Sequence, residues 1–271
     1  MNQFEKDYYE YDGFWNDEEK SLKNNIEKIE LTLSFIKEDV ESVLDAACGN
    51  GIFTNYLQRT RSNLKVVGFD RSEQALKYVK TEKFLASIDS IPLSDDTYDC
   101  VIAHDVIEHL PVEAYDKALS ELSRVAKKYI IIGVPYKEEI ARNVTQCPSC
   151  FSLFNYDLHL RSFDDDKLKQ LFTSYGFDNL SISTCDTVTY YKGQHLYTRY
   201  FHPDIFFKFR SPICPVCGYK NKEMNNSAPI STQNEKPVHK KNIGLKNIIR
   251  SLWPKVSFDY EVVALYKKNK G

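Results

Sequence analysis

Five short apolar runs, separated by stretches with helical periodicity, fill residues 41–135. Glu41-Ser42-Val43-Leu44-Asp45-Ala46, Lys65-Val66-Val67-Gly68-Phe69-Asp70, Phe84-Leu85-Ala86, Tyr98-Asp99-Cys100-Val101-Ile102-Ala103 and Tyr129-Ile130-Ile131-Ile132-Gly133-Val134 read as strands. Phe53, Tyr56 and Leu57 mark a helix after the first run, and Ala75, Leu76 and Val79 mark one after the second, with Ser72 placed to cap it. Ala118, Leu122, Val125 and Ala126 line one face of a helix after the fourth. Strands alternating with helices build a parallel sheet through right-handed crossovers. The fifth run is apolar throughout until Pro135, as suits a strand covered on both faces.

Leu22, Ile26, Ile29, Leu33 and Ile36 predict an amphipathic helix within residues 16–38. Beyond residue 135 the alternation breaks. Residues 136–160 read as an irregular insertion, 164–175 as a helix closed by Gly176, 180–183 as a sixth strand and 258–266 as a seventh. Residues 186–257 form a second insertion, in which 225–242 hold almost no apolar side chains and are expected to be mobile.

Composition restricts the class of protein further. Apolar residues are 42% and charged residues 27%, values ordinary for a globular chain. There is no run of the roughly 18 apolar residues a membrane span needs, and the polar start Met1-Asn2-Gln3-Phe4-Glu5-Lys6-Asp7 has no apolar core of a secretory signal. A cytoplasmic chain with no membrane partner is expected. Its seven cysteines are then reduced, and close pairs read as metal ligands before disulfides. Residues 205–258 carry ten Lys or Arg against Glu223 and Glu235, leaving the rest of the chain near −10 against an overall −2. That asymmetry suits either a solvated insertion or a surface for phosphates.

Cys147-Pro148-Ser149-Cys150 and Cys214-Pro215-Val216-Cys217-Gly218 are two C-x-x-C knuckles. Two such loops complete a closed tetrahedral thiolate site, so a structural zinc is expected on Cys147, Cys150, Cys214 and Cys217. The ion would clip the two insertions into a small cap over the carboxyl ends of the strands. Cys48, Cys100 and Cys185 are expected to pack.

The turn after the first strand reads Asp45-Ala46-Ala47-Cys48-Gly49-Asn50-Gly51, and Asp70 ends the second strand. A glycine turn opening a helix, with an acid at the next strand end, is the arrangement that holds a ribosylated cofactor. Val43 to Gly51, Val67-Gly68-Phe69-Asp70-Arg71-Ser72, Asp89-Ser90-Ile91-Pro92-Leu93, Tyr98 to His104 and Ile107-Glu108-His109-Leu110 together resemble the motifs of class I S-adenosylmethionine-dependent methyltransferases. The three-glycine spacing usual for nicotinamide cofactors is absent.

That resemblance implies an α/β fold with a seven-stranded, mostly parallel Rossmann-like sheet, helices on both faces, and here a zinc-ribbon-like cap. It implies a helical lid over 1–40, a cofactor-binding half over 41–135, insertions over 136–160 and 186–257, and the rest of the domain in 161–185 and 258–271. Backbone at Ala47, Gly49 and Gly51 would hold the methionine part of S-adenosylmethionine. Asp70 would take the ribose hydroxyls with Arg71 beside the adenine, Asp89 the adenine amino group with Ser90 adjacent, and His104 would border the sulfonium. Asp45 would orient the glycine loop or reach the cofactor amino group. Ala46-Ala47 stands where the family commonly has a bulkier residue and Gly.

Methyl transfer needs an aligned acceptor, excluded water and, for a hydroxyl, a nearby base. His159 and His109 are the catalytic candidates, with His104 and Glu108 behind them. Asp105, Glu108 and His109 stand at i, i+3 and i+4, which on a helix is metal-ligand spacing. A similar pattern, joined by a downstream His such as His159, holds a divalent ion in the small-RNA 3′-terminal 2′-O-methyltransferases. Tyr8, Tyr9, Tyr11, Phe14 and Trp15 would fold over the cofactor or pack on the sheet edge, and His195, Tyr197, Arg199, Tyr200 and His202 could line the acceptor pocket. The expected function is methylation of a small-molecule or glycan-type acceptor. The alternatives are a nucleic-acid methyltransferase using the basic insertion and a non-catalytic cofactor-binding module.

Overall fold

The computed structural model describes residues 8–10, 15–16, 18–221 and 254–269. Tyr11, Phe14 and the 225–242 segment lie outside them. Strands β1 (Ser42–Ala46), β2 (Lys65–Asp70), β3 (Glu82–Leu85), β4 (Tyr98–His104), β5 (Ala126–Pro135), β8 (Phe177–Tyr191) and β9 (Lys255–Lys268) form one sheet in the order β3-β2-β1-β4-β5-β9-β8. The first five pair in parallel and β9 pairs antiparallel with both β5 and β8. The sheet is therefore mixed, with its parallel part in the half whose strands alternate with helices.

Apolar alternation on the strands builds two cores. Ile130, Ile132 and Val134 of β5 face one with Ala118, Leu122 and Val125 of helix α4 (Val112–Val125). Tyr129 and Ile131 face the other with Ile29 and Phe35 of α1 (Glu18–Phe35) and Phe53 and Leu57 of α2 (Ile52–Thr60). Each Leu or Phe so buried contributes about 1.5–3 kcal/mol. A short α3 (Glu73–Leu76) follows β2, capped by the Ser72 hydroxyl, which accepts from Ala75 N at 3.0 Å.

The expected 164–175 helix is shorter. α5 (Asp165–Gln170), capped by Asp164, passes through a 3-10 turn (Thr173–Tyr175) to Gly176, whose φ of +80° ends it. The sixth and seventh strands are much longer than their apolar runs suggest. β8 and β9 continue past the sheet edge as a two-stranded arm that stays paired to Tyr191 and Lys255, so the second insertion begins at the arm's tip. Polar side chains on this arm hid it from periodicity. Thr184 and Thr187 donate to Asp259, and the Thr189 and Ser257 hydroxyls bond across the strands. The first insertion holds the hairpin β6 (Val144–Gln146) and β7 (Leu153–Asn155), and the second holds helices α6 (Gln194–Phe201) and α7 (Pro203–Phe206).

Candidate active site

Strand order reverses between β1 and β4, and this switch point opens a crevice at the strands' carboxyl ends. A cavity of about 550 Å³ occupies it, lined among others by Asp45, Ala47, Gly49, Asp70, Arg71, Asp89, His104 and His109. Gly51, Ser90 and His159 are absent from its walls. Gly51 instead starts α2 with φ +75°, and a Cβ there would lie 2.8 Å from Val79 Cγ2, so it serves packing. Ser90 ends a tight turn, donating its N–H to Ser87 O, and is exposed, while Ser87 and Ile88 take the wall position expected of it. The Ser87 hydroxyl donates to Asp89 at 2.5 Å.

The glycine loop is held by Asp70, not by Asp45. Asp70 accepts from Gly49 N at 2.9 Å and from Ser72 N at 2.8 Å. Burial raises its pKa, and these amide bonds oppose the rise. Asp45 accepts from the Thr54 hydroxyl at 2.5 Å, and burial pushes its carboxyl up to about 7. Ala47 adopts φ +56°, the left-handed region that favours glycine. Cys48 lines the cavity, contrary to a pure packing role, whereas Cys100 is buried in the core.

Aromatic side chains from the N-terminus lie on this loop. Trp15 and Tyr9 line the cavity, and a Cβ on Gly49 would come within 3.0 Å of the Trp15 ring. Asn50 Nδ2 donates to Trp15 O, Ser72 Oγ donates to Tyr9 O, and the Arg71 guanidinium stacks 4.3 Å from the Tyr9 ring centroid.

On the other side of the switch point, His104 ends β4. Its Nε2 lies 3.0 Å from the Thr32 hydroxyl, its ring packs edge-on against Phe53, and it fits only because Gly133 has no side chain: a Cβ there would sit 2.6 Å from His104 Cδ2. Burial lowers its pKa to about 3, so the ring is neutral. Helix α1 adds Asn25, Lys28 and Ile29 to the wall. The buried Lys28 ammonium pairs with Asp105 and, at 3.4 Å, with Glu261. Nothing in the spacing of these residues signalled that arrangement, since three distant segments supply it.

Residues 105–110 are a turn, not a helix, with Asp105 at φ +49°. Asp105 is thereby committed to Lys28 and leaves the metal-ligand set that helical spacing suggested. Tertiary folding forms a different group: a Glu108 carboxylate oxygen and ring nitrogens of His109 and His159 lie within 4.8 Å of one another. His159 Nδ1 bonds Glu138 at 2.5 Å, and the His109 and His159 rings meet edge-on at 4.7 Å. Burial alone would lower the His159 pKa, but the Glu138 bond and the nearby carboxylates outweigh it and hold it near 9. Burial lowers His109 to about 3 and raises Glu108. Neither Glu108 oxygen has a hydrogen-bond partner among the described residues.

The knuckles meet although 64 residues separate Cys150 from Cys214. Cys147 and Cys217 Sγ are 3.6 Å apart and Cys150 and Cys214 Sγ are 3.7 Å apart, and all four sulfurs fall within 4.8 Å of one another. Zn–S bonds of about 2.3 Å give tetrahedral edges of about 3.8 Å, so these residues fit a zinc ion. Ser149 N donates to Cys147 Sγ and Val216 N to Cys214 Sγ, both at 3.4 Å, as suits thiolates. Pro215 of the second knuckle reaches the cavity wall, as do Leu158 and Leu160 of the first insertion. Tyr197, Arg199, Tyr200 and His202 do not line it, and the His195 side chain lies outside the described ones.

Residues 44–132 match the model of a methyltransferase domain family. An uncharacterised protein of Methanocaldococcus jannaschii is 31% identical over 141 residues, covering 49% of this chain and 56% of that protein. An uncharacterised methyltransferase of Schizosaccharomyces pombe is 34% identical over 113 residues, covering 35% and 39%. The match thus spans about half or less of the length of these curated relatives. Magnesium protoporphyrin IX methyltransferase from Synechocystis, solved with bound S-adenosylhomocysteine, shares the fold with a TM-score of 0.52 at 16% identity, over 68% of this chain and 93% of that one. Residues 44–132 thus match a methyltransferase domain, and the chain shares its fold with a methyltransferase of known structure.

Proposed function

We propose that the chain transfers a methyl group from S-adenosylmethionine to oxygen or nitrogen of a small-molecule or glycan-type acceptor, beneath a cap held by a structural zinc on Cys147, Cys150, Cys214 and Cys217. The observation that carries this reading is the two-part lining of one cavity. One end has the acids and glycine loop suited to a nucleoside and an amino acid. The other end has polar and apolar side chains from three further segments. Its volume of about 550 Å³ is of the order that a small ligand pocket takes.

When bound, S-adenosylmethionine supplies a methyl group already activated on sulfonium. In this proposal Asp70 accepts from the ribose hydroxyls while keeping Gly49 in place, and Asp89 accepts from the adenine amino group. Tyr9, Trp15 and Arg71 close over the nucleoside and exclude water. His104, neutral, borders the reacting centre without adding a competing positive charge. His109, neutral and on the cavity wall, accepts a hydrogen bond from the acceptor and positions it. His159 sits behind it, oriented by Glu138. The cap, through Pro215, Leu158 and Leu160, shapes the acceptor end.

Two further readings have an observation each. The grouping of Glu108, His109 and His159 fits a divalent ion that would bind and acidify an acceptor hydroxyl. The ten-to-two excess of basic over acidic residues in 205–258 suits a nucleic-acid acceptor.

The test is transfer of radiolabelled methyl from S-adenosylmethionine into a cell extract fractionated into small-molecule, glycan, protein, RNA and DNA pools. Label in the small-molecule or glycan pool is expected. Label confined to RNA or DNA, with a steep salt dependence, would replace the leading reading by the nucleic-acid one.

A further inference from the structure

A buried carboxyl group is normally hydrogen-bonded, because it has given up water and must be compensated. Glu108 departs from this. Its side chain is 1% exposed, and neither oxygen has a hydrogen-bond partner among the described residues. The carboxyl group is aimed at two imidazoles: one of its oxygens and ring nitrogens of His109 and His159 all lie within 4.8 Å of one another. His109 Nδ1 is also buried with no partner among the described residues.

The charge around this group calls for a cation. Glu138, Glu108 and Asp157 all act on His159, and Asp157 Oδ2 is a further buried oxygen with no partner among the described residues. The guanidiniums nearby are engaged elsewhere: Arg161 donates to Ile107 O and stacks on Tyr115, and Arg210 donates to Ile205 O and stacks on Tyr156. The backbone holds the group in place. Leu160 N donates to Glu108 O at 2.9 Å, joining the first insertion to the turn after β4. Asn155 Oδ1 accepts from Asp157 N at 2.9 Å and from His159 N at 3.3 Å. His159 Nδ1 is taken by Glu138, which leaves Nε2 as the nitrogen that can ligate; a carboxylate behind the far nitrogen is how metal-bound imidazoles are usually oriented.

We propose that Glu108, His109 and His159 bind a first-row divalent metal ion, zinc in the first instance, at a site separate from the four thiolates, with Glu138 as the residue that orients His159. Two imidazoles and one carboxylate suit zinc and its first-row neighbours, whereas magnesium and calcium prefer oxygen alone. Zinc bonds of about 2.0–2.2 Å to nitrogen and oxygen put tetrahedral ligand atoms about 3.3–3.6 Å apart, a closure within reach of side-chain rotation. Three protein ligands leave a position open to water or to an oxygen of the acceptor. His109 is the ligand on the cavity wall, so the ion's shell meets the cavity there. With the ion bound, His109 holds the metal and the open position takes over the contact with the acceptor, which selects acceptors carrying a hydroxyl or carboxylate oxygen. The proposal deepens the divalent-ion reading of the function and rests on that reading only for what fills the open position.

The experiment is titration of the full chain with Co²⁺, after mild chelation that leaves zinc on the thiolates. Cobalt on thiolates absorbs intensely in the near ultraviolet through sulfur-to-metal charge transfer, whereas cobalt on nitrogen and oxygen shows only weak visible bands. One equivalent is expected to bind with weak visible bands and no charge-transfer band. Glu108→Gln is expected to weaken this binding by at least about tenfold while S-adenosylhomocysteine still binds, since Glu108 is not on the cavity wall. Glu138→Gln, which leaves all three ligands in place, is expected to weaken it by about 10–100-fold and serves as the second variant should the first fail to fold. No binding at micromolar Co²⁺ overturns the proposal, as does equal binding by the folded variants. Binding seen only with the charge-transfer band places the ion at the knuckles and overturns it too. Because the readout is metal binding, a chain that transfers methyl groups without this ion overturns the proposal alone, and a chain that binds the ion but methylates nothing overturns the functional reading alone.

Discussion

At Ala47 the backbone takes a conformation that L-residues resist, φ +56°, at the centre of the loop expected to cradle the cofactor. A left-handed residue with a Cβ costs about 1–2 kcal/mol, and glycine in the unfolded chain gives back about 0.4–1 kcal/mol of that. Ala47→Gly is therefore expected to stabilise the protein by about 0.5–1 kcal/mol, read as a higher denaturant midpoint. Asp45 supplies a pH dependence of opposite sign to that of a salt-bridged acid. Its carboxyl is raised from 3.8 to about 7, so the ionised form is disfavoured in the fold. Below pH 3.8 both states are protonated and nothing is lost. Between 3.8 and 7 the unfolded chain releases its proton first, so stability falls as pH rises, and the loss is complete above 7. Asp70 is raised as well and adds in the same direction. Asp45→Asn is expected to flatten this slope in thermal melts of the unliganded protein across pH 5–8. A slope unchanged by the substitution would mean that other groups carry it.

Among the elements, the two knuckles depend on each other. Each knuckle is a short loop with its own amide-to-sulfur bonds, yet neither closes a site alone. Cys214→Ser is expected to remove one equivalent of zinc from the purified protein and to expose residues 136–160 to limited proteolysis, while the parallel sheet keeps its thermal transition. Retention of full zinc stoichiometry would disprove the four-thiolate site. On β5, beside the carboxyl end of β4, Gly133→Ala is expected to displace the His104 ring, since the new Cβ would lie 2.6 Å from Cδ2. S-adenosylhomocysteine affinity should then fall by roughly tenfold, about 1.4 kcal/mol, in calorimetry.

The whole molecule divides at the tip of the arm. Lys192 N donates to Pro254 O at 2.7 Å beside the pair Tyr191 and Lys255, so the second insertion leaves and returns at one point. Replacing residues 193–253 by a two-residue turn is expected to preserve cooperative unfolding and abolish zinc binding. S-adenosylhomocysteine binding should stay within about tenfold, because among the described residues of that insertion Pro215 alone reaches the cavity wall. Collapse of the whole fold on this deletion would show that the cap is part of the core.

The parallel half of the sheet was legible because buried strands and amphipathic helices write their periods directly into residues 41–135, and the positions of Asp45, Gly49, Asp70 and His104 follow from where those strands end. The two C-x-x-C pairs were legible for a similar reason, since short loops bring their own thiols together. The arm was legible only at its apolar base, because threonines, serines and aspartates that bond across strands carry no hydrophobic signal. Helical spacing misplaced Asp105, which a turn at φ +49° and the buried Lys28 draw away from Glu108 and His109. Local sequence therefore determined which residues end strands, open turns and pair as thiols. Only tertiary structure decided which distant groups share a cavity wall, because burial and charge pairing between α1, the β4 turn, residue 138 and the knuckles depend on contacts across the chain.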